Sequence, residues 1–418
     1  MNALFLLPIL FGMSSYLYYR KRKKIHRKSD NILGMSMLLF VFAFSVLAII
    51  FYYHPDFKGS VHEGSGKTYI DAAIYFFLLY ILWLSPFLKG DYTDYTKVIC
   101  SPIVKGLVTI IAVSSLIEAV LLLPNALSGY NTMVLGDIAG VREHDIGNIG
   151  SGITSIPVLI YSFFGTILPL AFFYYLSAGI KRGELVLIAI ATFLTPILNT
   201  LSTGSREFFV FPLIETGIAY LIFYRFLSKR VKKGVNFTFL ILGGLIFVSS
   251  VLMSLIRFTN SASIDPSFWI AKYLGEGFVN FNTLLYPNLG EPCYGEFHFG
   301  YFRDLIGLSY VPDSMRASYW SPRMQFPHNL FYSFLGSIVI DWGKTGAFII
   351  SAFFVGLTHL FTRIKGKTIL FSQLIILHFV ACICTKGVFY FTYLSYFGGR
   401  TILYVILLCL LLRFVGRT

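Results

Sequence analysis

The 418-residue chain is 56% hydrophobic and only 13% charged, with a mean hydropathy of +0.72. A soluble globular chain carries roughly 25% charged residues, so this balance excludes an ordinary soluble enzyme and any long disordered or coiled-coil protein. Much of the net charge of +14 sits in short clusters beside apolar stretches, Arg20 to Lys28, Arg225 to Lys233, Arg363 to Lys367, and Arg413 with Arg417; this is the positive-inside pattern, and it leaves no room for a nucleic-acid-binding domain.

Runs of roughly 17–25 apolar residues, long enough to cross about 30 Å of hydrocarbon as helix, recur along the chain. They predict an all-α polytopic transmembrane bundle with residues 1–418 as one integral-membrane domain. The first span is Asn2 to Tyr19, with its basic cluster behind it. A cleaved leader has the opposite order, so this segment is expected to stay and to leave the N-terminus outside. Spans two to four follow at Asn31 to Tyr53, Tyr69 to Leu88 and Ile103 to Pro124, then an outer loop from Asn125 to Ser155. Spans five to eight are Ile156 to Ile180, Leu185 to Leu201, Phe208 to Phe226 and Phe237 to Ile256. A long stretch, Arg257 to Phe326, precedes a ninth apolar segment, His328 to Phe361, too long for one straight helix and expected to break at Asp341-Trp342-Gly343. Spans ten and eleven are Thr368 to Thr385 and Gly398 to Val415. Eleven crossings put every strong basic cluster and the C-terminus inside. A twelfth, made by splitting span nine, would put Arg363 to Lys367 outside.

The stretch from 257 to 326 reads as one external loop. Aromatic residues punctuate it, among them Trp269, Tyr286, Tyr294, Phe297, Tyr310, Tyr319 and Trp320, so it is expected to fold onto the membrane surface. Pro266 to Asn280 has helical apolar spacing suited to lying flat in the interface. The five cysteines form neither a disulfide framework nor a zinc set. Glu63-Gly64-Ser65-Gly66-Lys67-Thr68 resembles the end of a phosphate-binding loop, but Val61 stands where that motif needs its first glycine.

Arg206 is the most informative single residue. Gly204-Ser205-Arg206-Glu207 joins two spans with almost no loop, which pins a guanidinium at the rim of the bundle. Its fork suits phosphate; pairing with Glu207 while snorkelling to the interface is the bland alternative, and the sequence divides evenly between them. His328 stands where the long loop re-enters the bundle and could act as a base, although a lone histidine at a span end is more often an anchor. Arg257, Arg303, Arg316 and Arg323 lie in the long loop, Arg400 before the last span, and Arg142 beside His144 in the earlier loop. Outside arginines need a reason, which polyanionic ligands or simple salt bridges to Asp265, Glu276, Glu291, Glu296, Asp304 and Asp313 would supply. Glu118 inside span four reads as a buried paired carboxylate, and Asp341 as a helix cap.

Ser202-Thr203-Gly204-Ser205-Arg206 between two spans, one long late outer loop, and His328-Asn329 followed by Asp341-Trp342-Gly343-Lys344-Thr345-Gly346 together resemble the O-antigen and capsule repeat-unit polymerases, the Wzy-type oligosaccharide polymerases related to the O-antigen ligases. The resemblance covers most of the chain as architecture and some twenty residues as motif. It implies a GT-C-like membrane glycosyltransferase in the bacterial inner membrane, with no metal and no cofactor. Donor and acceptor would be undecaprenyl-pyrophosphate-linked oligosaccharides, with their tails among the membrane lipids. His328 would serve as base, Arg206 would steady the leaving pyrophosphate, and Arg257, Arg303, Arg316, Arg323, Arg400 and Arg142 would bind substrate. A chain-length-regulating copolymerase would be a fitting partner; nucleic acid would not.

Three alternatives stay open. An O-antigen ligase shares the fold type and donor but transfers to lipid A core. A lipid-linked oligosaccharide flippase would line both halves of a central cavity with charges, whereas here the charges gather in loops. A membrane O-acyltransferase would need a histidine within the membrane, for which His359 and His378 are the candidates.

Overall fold

The computed structural model describes residues 2–24, 32–58, 60–61, 63, 66–89, 95–134, 155–180, 182–205, 207–258, 265–320, 322–327, 330–364, 367–393 and 395–415. These are helical apart from loops and two three-residue strands, Lys97–Ile99 and Thr368–Leu370. The helices are α1 (Leu6–Lys24), α2 (Ile32–Tyr52), α3 (Ile70–Lys89), α4 (Pro102–Val134), α5 (Ser155–Phe164), α6 (Ile167–Ala178), α7 (Arg182–Thr203), α8 (Glu207–Phe223), α9 (Lys229–Phe258), α10 (Pro266–Asn280), α11 (Gly300–Leu305), α12 (Arg316–Trp320), α13 (Ser333–Thr362), α14 (Phe371–Lys386) and α15 (Tyr396–Val415). Among the described residues seven helices are long and apolar enough to cross a membrane, or eight if the bent pair α5–α6 is one span. This is the architecture of a multi-pass helical membrane protein. Helices α1, α9 and α14 occupy the places of expected spans one, eight and ten without being among those seven or eight.

Three boundaries differ from the sequence reading. Span five is two helices bent by 70°. The chain turns at Gly165, where a Cβ would sit 2.7 Å from both the Tyr161 ring and its carbonyl. Helix α4 runs ten residues beyond Pro124, into the stretch expected as an outer loop, the rest of which lies outside the described residues. Arg257, expected to open the long loop, lies inside α9. The break expected in span nine is present: α13 carries Gly343 at φ +67°, ψ 177°, a left-handed backbone open to glycine at little steric cost.

The helices gather into two compact units: residues 1–96, 261–368 and 380–404 in the first, and 97–260, 369–379 and 405–418 in the second. The reading of 1–418 as one domain does not distinguish them.

In the first unit, α3 and α13 are joined by buried polar contacts within apolar helices. Trp83 Nε1 donates to Ser351 Oγ at 2.9 Å, and Ser85 Oγ lies 3.1 Å from His359 Nε2. Helix α10 packs closely on α2, contrary to a flat interfacial segment with one free face. A Cβ at Gly275 would stand 2.8 Å from Ala48 Cα and 2.9 Å from the Leu47 carbonyl, and Phe268 and Phe278 are buried. A π-helical turn at Phe281–Leu285 continues it, and Asn282 clamps the start of α3 by accepting from Tyr69 N–H at 2.9 Å while donating to the Tyr69 carbonyl at 2.8 Å.

In the second unit α4 and α7 form the tightest pair, around Ala119, Leu122, Ala126 and Leu198. A Cβ at Gly129 would fall 2.2 Å from the Leu201 carbonyl oxygen. Backbone on that side cannot yield as a flexible side chain can, so Gly129→Ala should force the helices apart at a cost of about 1–3 kcal/mol. Thermal unfolding in detergent checks this. The exposed Gly183→Ala, with open space around it, should leave the midpoint unchanged or slightly raised.

Candidate functional site

The most elaborate polar constellation of the first unit is built on the loop from Pro292 to Trp320 where it meets the kink of α13. Asp341, fully buried, accepts three hydrogen bonds, from Phe297 N–H on Oδ1 and from His298 N–H and His298 Nδ1 on Oδ2, each 2.9 Å long. The His298 ring also bonds to the Ser337 backbone, one turn earlier on α13. With Nδ1 committed to Asp341, that bond falls to Nε2. Asp341 therefore does not cap its own helix as expected; its carboxylate caps the turn at 297–298 on the loop. Cys293 N–H donating to the Ile340 carbonyl at 3.0 Å completes the seam. Burial holds the His298 imidazole below its ordinary range, against the pull of Asp341, and pushes the Cys293 thiol up, so this thiol is inert.

Four arginines gather at this loop. Arg303 is committed to the chain itself: Nε donates to the Ser309 carbonyl at 2.7 Å, one terminal nitrogen to the Tyr294 carbonyl at 2.7 Å, and the other to Glu296 at 3.0 Å. It makes, with Glu296, a salt bridge of the bland reading. Arg316 lies 5.7 Å over the Phe297 ring, close enough to His298 to disfavour its charged form. Arg400 is exposed and stacks 4.8 Å over Tyr396 and 5.8 Å over Tyr301; the Tyr396 hydroxyl bonds Asp304. Arg323, also exposed, lies 3.9 Å over Tyr319 and bonds its carbonyl. Tyr294, Tyr310 and Tyr319 are exposed on the same stretch of chain. Such a surface offers planar cations and aromatic faces together, the pairing that binds anions and stacks on flat or ring-shaped ligands.

A second buried acid, Glu276, lies on α10, which is not among the apolar spans. It accepts from Phe331 N–H at 3.2 Å and from Asn280 Nδ2 at 3.3 Å. Burial pushes its carboxyl up to about 7, against the opposing pull of Lys272 and these hydrogen bonds. A carboxyl raised on folding binds its proton more tightly in the folded state, so its stabilising contribution is present below about pH 4.5 and is lost as pH rises to about 7. Glu276→Gln should remove this dependence. Relative to the parent the variant should gain up to about 3 kcal/mol between pH 5 and pH 8, read as the difference of two thermal-melting series.

His328, Arg206 and Arg142 lie outside the described residues, and of Arg257 only the helical backbone is described. The sequence reading missed His298, which lies 43 residues from its partner and so has no local pattern to mark it. It also missed Lys386, at the end of α14, only 4% exposed and 5.7 Å over the Tyr393 ring. A buried lysine closing an apolar helix was the available signal. Among the described residues no three His, Cys, Asp or Glu side chains gather in a metal-binding group. No family model, curated protein or solved structure matches the chain.

Proposed function

We propose that this protein is an integral-membrane glycosyltransferase of the repeat-unit polymerase type, acting on the outer face of a bacterial inner membrane and joining lipid-linked oligosaccharides without a metal. The observation that carries the reading is the aromatic and arginine surface of residues 294–323 with Arg400, fastened to the kink of an apolar helix through Asp341. A lipid-linked glycan needs both features. Its tail stays with the apolar helices, while its sugars and diphosphate meet rings and guanidinium groups beside them.

In the proposed reaction a hydroxyl of the acceptor sugar attacks the anomeric carbon of the donor. The new glycosidic bond forms as the bond to pyrophosphate breaks, and undecaprenyl pyrophosphate leaves with the electron pair. The hydroxyl proton passes to a base, assigned to His328. Negative charge grows on the pyrophosphate as the bond breaks, and fixed cations aimed at it lower the barrier. Arg206 takes that role from its place in the sequence. Arg316, Arg323 and Arg400 hold substrate, while Arg303 shapes the loop that presents them.

The test is the purified protein given synthetic undecaprenyl-pyrophosphate repeat units. The expected product is a mass ladder spaced by one repeat unit. Absence of a ladder from substrate that an established polymerase extends would overturn the reading. A single transfer to lipid A core would make the protein a ligase, and movement of lipid across vesicles without a new glycosidic bond would make it a transporter.

A further inference from the structure

The second unit carries a line of polar side chains through otherwise apolar helices. Ser115 and Glu118 lie about one turn apart on α4, and Thr195 and Asn199 one turn apart on α7, so the two pairs meet across the α4–α7 contact. Ser115 Oγ donates to the Ala191 carbonyl at 2.7 Å and lies 2.8 Å from Thr195 Oγ, which donates to the Ser115 carbonyl at 2.8 Å. The Asn199 side chain hydrogen-bonds Glu118. Tyr161 on α5 hydrogen-bonds Ser115 and lies within electrostatic reach of both Glu118 and Glu215 of α8. The Glu215 carbonyl accepts from His378 Nε2 at 2.9 Å.

The hydroxyls of this set have partners, and one atom does not. Among the described residues, Glu118 Oε2 is sealed from solvent without a hydrogen-bond partner, on a residue 6% exposed. Among the described residues no ion pair forms at Glu118. The titratable groups facing it are Tyr161 and, beyond it, Glu215; α4 and α7 bring Ser115, Ala119, Leu122, Thr195, Leu198 and Asn199, none of them basic. An ionised carboxylate with a bare oxygen inside an apolar bundle is costly, and the partner the helices provide for the expected buried paired carboxylate is the neutral Asn199 side chain. A metal cation would need a cage of oxygens, but the Ser115 and Thr195 hydroxyls are already engaged with each other and with helix carbonyls. One proton on Oε2 satisfies the site with no further ligand.

We propose that Glu118 is an intramembrane proton-binding site, its proton held on Oε2 beside the Ser115–Tyr161 pair. Ionisable residues in membrane-spanning helices commonly mark proton or ion routes, and here the route would lie within the second unit.

The test uses the full chain in detergent and in liposomes. Infrared spectroscopy at neutral pH should show a protonated-carboxyl carbonyl stretch that shifts in deuterium oxide and is lost in Glu118→Gln. Dicyclohexylcarbodiimide, an apolar reagent, should label the same residue. The carboxyl oxygen adds to the carbodiimide carbon, the carboxyl proton passes to nitrogen, and acyl migration leaves an N-acylurea with no leaving group. Peptide mapping should place the adduct on Glu118 in the wild type, with complete loss in Glu118→Gln. Glu118→Asp keeps the carboxyl and should keep the label, so the site can be read even where the glutamine variant folds poorly. Absence of both the band and the label at neutral pH would overturn the proposal. Protection from the reagent by sodium at constant pH would overturn it in favour of a metal-cation site.

Discussion

Asp341→Ala should destabilise the first unit by about 3–5 kcal/mol, the cost of removing one partner from a buried charged network. The carboxylate accepts from the Phe297 and His298 backbone N–H groups and also from the His298 ring. Without it, two backbone donors and an imidazole nitrogen are left in a place water does not reach, each carrying its full desolvation penalty. Asp341→Asn keeps the shape but turns one acceptor into an amide that faces a donor, so most of the loss should remain. The order expected from thermal unfolding is wild type well above Asn, and Asn somewhat above Ala. Limited proteolysis should show cutting near Tyr294 before cutting within α13, because the seam rather than the helix fails first. If Asp341→Ala melts with the wild type, the loop is held by its aromatic contacts and the carboxylate is incidental.

The seam also shows where the sequence is readable and where it is not. Apolar runs mark the membrane helices because burying them in lipid is the dominant constraint on this chain. The break in span nine was legible because an aspartate and a glycine interrupt a run too long to cross once, and Gly343 takes the conformation that interruption implied. The bend at Gly165 was not legible, since no charge marks it: Ile156 to Ile180 is uncharged throughout, and only the tertiary structure shows the 70° turn and the close approach of Tyr161 to Gly165. Helix α10 was legible as a helix from its apolar spacing, which suggested a segment flat in the interface, but its packing on α2 and the burial of Glu276 on internal hydrogen bonds are tertiary and left no local mark. The arginines of the loop were legible as a group, but their individual duties were not. Only tertiary contacts show that Arg303 is spent on Tyr294, Glu296 and Ser309 while Arg400 and Arg323 face solvent.

Arg206→Ala should reduce polymer formation by about 10²–10³-fold, the usual cost of deleting one donor that stabilises charge developing in a transition state. The connection that carries it is short. Helix α7 ends at Thr203 and α8 begins at Glu207. Gly204, at φ +62°, closes α7 with its N–H on the Thr200 carbonyl at 2.9 Å, and Ser205 N–H bonds Thr203 Oγ at 3.1 Å. A left-handed glycine of this kind ends a helix abruptly. Arg206→Lys keeps the charge but replaces a planar fork with a point donor and should recover only part of the rate. In the purified mass-ladder assay both variants should melt with the wild type, and the loss should fall on kcat more than on KM, because the interaction strengthens as the bond to pyrophosphate breaks. A loss confined to KM would assign Arg206 to ground-state binding. Full-length ladders from both variants would remove it from the reaction and leave the exposed cations Arg323 and Arg400 to be tested in its place.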